Sequence, residues 1–246
     1  LPAEPPGPLP VLLWVHGGGW RAGDKAEIAP GWGETWVGKG YAAASVNYRL
    51  SGQAPFPAPL YDCKAAVRWL RAHAGEYSLD PERIGAWGSS AGGHLVALLG
   101  VTTEMAELEG DLGNPEESSE VQAVCAWMAP THILSMAALQ EEMGAPGGVL
   151  YDLLGGPPEE REELARLASP VHHVSGDEPP FLICHGDRDR TVPFQQALTL
   201  YEALRKAGDE VELYTFKGAA HGRGPFFANA DLMARVEAFF RQHLNP

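Results

Sequence analysis

Cysteine is sparse in this chain of 246 residues. The three present, Cys63, Cys125 and Cys184, are far apart, and each lies inside an apolar run. An odd number with no CxxC and no Cys/His spacing rules out a disulfide framework or a zinc site as the organising device. Three buried thiols behaving as small hydrophobes are expected instead. Positive charge is also short: 18 Lys and Arg stand against 32 Asp and Glu, for a formal net charge of −14. So anionic a surface repels phosphate backbones and anionic lipid, so neither nucleic acid nor membrane is expected as a partner. It also disfavours an anionic substrate unless the site is locally basic. No run approaches the roughly 18 apolar residues that a bilayer-crossing helix needs. Internal repeats are absent, and the only biased segment is the proline-rich opening LPAEPPGPLP. That opening has no signal-peptide pattern and leads so abruptly into an apolar strand that further residues are expected upstream. Compartment and oligomeric state stay open.

What is present reads as an ordinary globular domain, with 45% hydrophobic and 20% charged residues. Short apolar runs alternate with helix-like segments. Strands are expected at 11–16, 41–48, 83–88, 121–128, 180–186 and 211–216. Helices are expected at 27–39, 60–76, 91–101, 193–207 and 227–243, with a turn at Leu79-Asp80-Pro81. The acidic stretch 102–120 reads as a surface excursion. Residues 131–178, with a charged helix near 159–168, break the alternation and read as an insertion over the carboxyl ends of the strands. The alternation implies one α/β domain spanning 1–246, a mostly parallel sheet with helices on both faces. Ligands in such sheets sit beyond the carboxyl ends of the strands.

The chemistry-bearing motifs fall at those ends. Gly88-Ser89-Ser90-Ala91-Gly92 matches G-x-S-x-G, with a strand before it and a helix after it. A tight strand-to-helix turn holds the central side chain clear of the sheet and at a helix N-terminus, which makes Ser90 the candidate nucleophile. His16-Gly17-Gly18-Gly19-Trp20 follows the first strand, and tandem glycines let main-chain N–H groups face an oxyanion. The N–H groups of Gly18, Gly19 and Ala91 are assigned to that task. Trp20 is read evenly as a substrate-binding wall or a packed anchor, and His16 as structural.

A serine hydroxyl needs a base, and the base an acid to orient it, in the chain order Ser, Asp or Glu, His. HGDRDRTVP offers Asp187 and Asp189. Asp187 is close enough to the strand to shape the turn, so Asp189, further out, is favoured. His221, in the small-residue loop after the last strand, is the candidate base. His73, His94, His132, His172 and His173 are read as surface or packing residues. Trp32, Trp36, Tyr48, Phe56 and Tyr151 could form a shallow aromatic site, although each taken singly reads as packing.

HGGGW followed by GDK, NYRL, DCKAAVRWLR, DPERIGAWGSSAGGH, HGDRDRTVP and GAAHG resemble the BD-FAE-type α/β hydrolases, relatives of the hormone-sensitive-lipase group and of acetyl xylan and feruloyl esterases. The likeness runs from about Val11 to about Gly222. It implies an α/β-hydrolase fold and a serine esterase that works through an acyl-enzyme on short acyl esters, including acetyl or feruloyl groups on plant polysaccharide. No metal or cofactor is implied. Such proteins usually carry two more strands before the equivalent of Val11, so the first edge strands are expected to be missing here. The rival readings are an arylformamidase of the N-formylkynurenine type or another amidase or peptidase, and a non-catalytic binding protein on the same fold.

Overall fold

The structure, a computed structural model, describes residues 1–2, 7–103, 105–144 and 148–245. In chain order its elements are β1 (Leu9–Val15), α1 (Trp32–Val37), β2 (Ala42–Val46), α2 (Ala58–Ala72), α3 (Ala74–Tyr77), β3 (Leu79–Ser89), α4 (Ala91–Val101), α5 (Ala106–Glu109), β4 (Ala123–Trp127), α6 (Ile133–Glu142), α7 (Gly148–Leu154), α8 (Glu162–Leu167), β5 (Phe181–Gly186), α9 (Gln195–Ala207), β6 (Val211–Phe216), α10 (Arg223–Phe227) and α11 (Ala230–Leu244). Short 3₁₀ turns flank α8 at Pro158–Glu160 and Pro170–His172.

The six strands form one sheet in the order β2-β1-β3-β4-β5-β6, with every pairing parallel. Sequence alone explains why β1 sits inside it. All seven residues of LPVLLWV are buried, and alternate side chains enter different cores. Val11, Leu13 and Val15 pack with α2, α4 and α9, whereas Leu12 and Trp14 pack with α1 and α11. A strand covered on both faces has no solvent side to mark with polar residues.

The second core holds five of the seven tryptophans, Trp14, Trp32, Trp36, Trp87 and Trp127. Several of their rings meet edge to face: Trp14 and Trp36 lie 5.4 and 5.6 Å from Trp87 at 80° and 85°. Each such contact adds about 0.5–1.5 kcal/mol beyond the area buried. Trp32 and Trp36 are thereby packing residues, and they are not among those that line the cavity at Ser90 described below. Tyr48 and Phe56 are buried as well.

Two expectations are corrected. The turn at Leu79–Pro81 lies inside β3, because Leu9 pairs with Leu79 and Val11 next pairs with Ile84. The Asp80 carboxylate accepts from the Glu82 N–H and the Arg83 guanidinium, so the local turn chemistry survives as an irregularity in a continuous strand. The acidic stretch 102–120 is anchored rather than merely superficial. Glu109 on α5 pairs with Lys64 and Arg68, both buried on α2, and Lys64 also donates to the Thr102 carbonyl at 2.6 Å. Removing one partner of such a buried cluster costs about 3–5 kcal/mol, because a charge is left behind without its counterpart. The three cysteines are free and buried.

Candidate active site

Ser90 lies between β3 and α4 with φ 56° and ψ −121°, a conformation that costs about 1–3 kcal/mol in a non-glycine residue. Its surroundings enforce it. The Ser90 N–H donates to the Trp127 carbonyl at 2.8 Å, and the Ser90 carbonyl accepts from the His94 N–H at 2.9 Å. The main chain of Gly92 runs so close to β1 that an added Cβ would sit 2.0 Å from the Val15 carbonyl oxygen. The turn therefore has one shape, and it presents the Ser90 hydroxyl beyond the carboxyl end of the sheet.

His221, in the loop after β6, meets that hydroxyl with Nε2 at 2.9 Å. Its Nδ1 lies 2.6 Å from Oδ2 of Asp189, which follows β5. The carboxylate can only accept, so Nδ1 carries the proton and Nε2 is left free to take one from serine. Asp189 is fixed in turn: its Oδ1 accepts from the Thr191 and Val192 N–H groups, each at 2.9 Å. Burial pushes the Asp189 carboxyl up, but bonds from His185 and His221, the His221 charge and the Val192 N–H outweigh it. They hold the group well below the usual carboxylate range. Asp187 takes a different part, accepting from the Gly218 N–H at 2.6 Å and tying the loop after β5 to the loop after β6.

His185 was not singled out by sequence reasoning. It is buried at the end of β5, where its Nε2 lies 2.9 Å from the Val192 carbonyl and 3.3 Å from Asp189 Oδ2. Its position in an apolar strand gives no local signal of a polar task. Met128 is similarly silent in sequence, yet it has φ 47° and its sulfur accepts from the Gly222 N–H beside His221.

Opposite Ser90 runs the glycine-rich loop. Gly18, Gly19 and Trp20 have φ of 113°, 61° and 56°. At Gly18 a side chain is excluded, since a Cβ would lie 2.1 Å from the Ala22 carbonyl oxygen. The Gly18 carbonyl accepts from Arg21 and Ala22, which closes the loop. Among the described residues no carbonyl accepts from the N–H groups of Gly18, Gly19 or Ala91. Trp20 is buried as an anchor, although it also borders the cavity. Its indole N–H donates to His94 Nδ1 at 3.2 Å.

Between the two loops lies a cavity of about 490 Å³ that reaches Ser90 and His221. Residues 131–178 contribute Met136, Gln140 and Val149 to its wall. Among the described residues no cluster of three or more His, Cys, Asp or Glu is placed to hold a metal ion, and no helix is long and apolar enough to cross a membrane.

A family model described as BD-FAE matches residues 1–204. Among curated proteins, the chain is 32% identical over 209 residues to the probable carboxylic ester hydrolase LipM of Mycobacterium tuberculosis, covering 85% of this chain and 48% of that protein. The chain spans about half the length of the curated relatives it matches first. A solved structure, a truncated form of a carbohydrate esterase from gut microbiota, superimposes with a TM-score of 0.90 at 31% identity, covering 100% of this chain and 90% of that one. An acetyl ester-xyloside bifunctional hydrolase from Caldicellulosiruptor lactoaceticus gives a TM-score of 0.83 at 28% identity, covering 97% and 85%.

Proposed function

The chain belongs to the BD-FAE family, and from that premise we propose that it is a serine esterase that hydrolyses carboxylic esters through an acyl-enzyme. The observation that carries this reading is the unbroken hydrogen-bonded line from Asp189 through His221 to Ser90 at the floor of a cavity.

Each step follows from the geometry. The Ser90 proton passes to His221 Nε2 as the Ser90 oxygen bonds to the ester carbonyl carbon. The carbonyl π pair moves onto oxygen, and that oxyanion is met by the N–H groups of Gly18, Gly19 and Ala91. Each donor is worth about 3–4 kcal/mol of barrier. Asp189 stabilises the imidazolium without taking its proton. The tetrahedral centre then expels the alcohol, which leaves with the proton from His221. Water, giving a proton to the same nitrogen, attacks the acyl-enzyme carbonyl; the tetrahedral centre then breaks its bond to the Ser90 oxygen, which takes that proton back from His221, and the acid leaves.

Acetyl or feruloyl groups on plant polysaccharide are the proposed natural esters. Two things support this: the likeness to a carbohydrate esterase and to an acetyl ester-xyloside hydrolase, and a cavity lined by Met136 and Val149 that suits a small acyl group. In this reading residues 131–178 are an insertion within a single domain that shapes the acyl side, and Trp20 contributes a wall.

The test is hydrolysis of p-nitrophenyl acetate, methyl ferulate, acetylated xylan and N-formylkynurenine by wild type and Ser90→Ala. The expected outcome is turnover of the esters and a fall in kcat of on the order of 10⁴ or more in the variant, with an unchanged unfolding curve. Turnover of N-formylkynurenine alone, or equal activity in the variant, would overturn the proposal.

A further inference from the structure

His94 has no part in the proton path, yet it is wholly buried in the first turn of α4, four residues after Ser90. Its ring is bonded at both nitrogens. Nε2 lies 2.7 Å from the Ala168 carbonyl, and a carbonyl only accepts, so Nε2 carries the proton. Nδ1 is therefore bare, and it accepts from the Trp20 indole N–H at 3.2 Å, with the two rings perpendicular at 89°. Only one tautomer satisfies both partners. No charged group is among these partners, and burial pushes the imidazole down to about 4, so it is neutral at ordinary pH.

Three chain segments meet at this ring. Trp20 ends the oxyanion loop, His94 belongs to the helix that carries Ser90, and Ala168 closes α8 in the segment 131–178. Trp20 is also a bulky residue at φ 56°, a conformation that needs something outside the loop to hold it. The loop's other ties, from the Tyr48 hydroxyl to the His16 carbonyl and from the Ser51 N–H to the Trp20 carbonyl, fasten its two ends to the segment after β2. The bond to His94 is the one that references the loop to the nucleophile's own helix.

We infer that His94 and Trp20 are positioning residues: their hydrogen bond sets the N–H groups of Gly18 and Gly19 at the distance from Ser90 that the developing oxyanion requires. This rests on the esterase reading above. Donors help only when they sit about 2.7–3.1 Å from the position the oxyanion takes, so a loosened loop lowers the rate of the chemical step more than it weakens ground-state binding.

The experiment compares wild type, Trp20→Phe, His94→Gln and His94→Leu on p-nitrophenyl acetate, far below their unfolding temperatures. Trp20→Phe keeps an aromatic ring in the buried site but removes the donor together with the five-membered ring of the indole. It should lower kcat by roughly 10–100-fold with KM changed by less than about threefold. His94→Gln, which can still donate to Ala168 and accept from Trp20, should recover most of the rate that His94→Leu loses. Inhibition by an alkyl boronic acid, which mimics the tetrahedral state, should weaken in parallel with kcat. A Trp20→Phe enzyme within twofold of wild type in kcat, or one that loses only stability or only KM, would overturn the inference while leaving the esterase reading intact. A wild type that cleaves no ester and resists a fluorophosphonate would bring down both.

Discussion

Two loops confront each other across the cavity, the turn at Ser90 and the glycine-rich loop from His16 to Gly23. Both hold a non-glycine residue at φ 56°, Ser90 in one and Trp20 in the other. Different forces keep them there. The Ser90 turn is wedged by main chain against main chain, with Gly92 lying on the end of β1. Its shape is a consequence of sheet packing and has no soft component to yield. The glycine-rich loop is tied to its surroundings by hydrogen bonds and stacking: Trp20 on His94, the Ser51 N–H on the Trp20 carbonyl, and His16 stacked on Tyr48 at 4.4 Å. On the proposed reading, packing that excludes alternatives sets Ser90, whereas directional bonds set the N–H groups of Gly18 and Gly19. The first should fail as a fold when altered and the second as a rate.

The sharpest way to break this contrast is Gly92→Ala. The new Cβ would lie 2.0 and 2.5 Å from the carbonyl oxygens of Val15 and His16, both backbone atoms that cannot swing aside. A loss of at least about 3 kcal/mol is expected, enough to prevent soluble expression or to collapse a urea unfolding curve. A well-folded Gly92→Ala protein would show that the turn is as yielding as the loop opposite.

Asp189→Asn should leave the fold standing and remove the rate. The asparagine carbonyl can keep the Thr191 and Val192 N–H groups, and its NH₂ then faces His221 Nδ1. The imidazole must switch tautomer and put its proton towards Ser90, where it blocks the transfer. A drop in kcat of about 10³–10⁴ is expected with little change in melting temperature. An equal loss of stability would place Asp189 with the packed turn rather than with the bonded groups.

The same contrast explains what could be read from sequence. Packing leaves periodic traces: all six strands were located from apolar runs such as VLLWV and FLIC, and the small residues around Ser90 announced the turn. Chain order then named Asp189 and His221, which the fold joins to each other and, through His221, to Ser90. Side-chain bonds between distant residues leave no such trace. His94 reads as part of an apolar helix, and nothing in AGGHLVALLG points to Trp20, 74 positions away. His185 is hidden in a buried strand for the same reason. Trp32 and Trp36, each read singly as packing, do pack, although aromatic content could not say on which face of the sheet. Glu109 looked like surface acid until the buried cations of α2 were beside it.

The smallest expected effect concerns how the bonded loop responds to acid. His94 titrates near 4 when folded, against an ordinary value of 6.5. Between those values the unfolded chain takes up a proton that the folded one refuses, so stability is full above about pH 6.5 and falls as the pH drops towards 4. The limit is about 3 kcal/mol at 1.36 kcal/mol per unit. Burial also lowers His16, His132, His172 and His243, which act in the same direction. Asp209, pushed up to about 6 by burial and by Glu178, opposes them between about 4 and 6. All of these remain in His94→Gln, so subtracting its unfolding free energy from that of wild type isolates the imidazole. The advantage of wild type over the variant, measured by urea unfolding, should shrink between pH 7 and pH 4.5. A constant difference would mean that the imidazole gains its proton as readily in the folded chain as in the unfolded one, so that losing its bond from the Trp20 N–H costs nothing. The loop would then be held by the shape of the Trp20 pocket, as the Ser90 turn is held by its own.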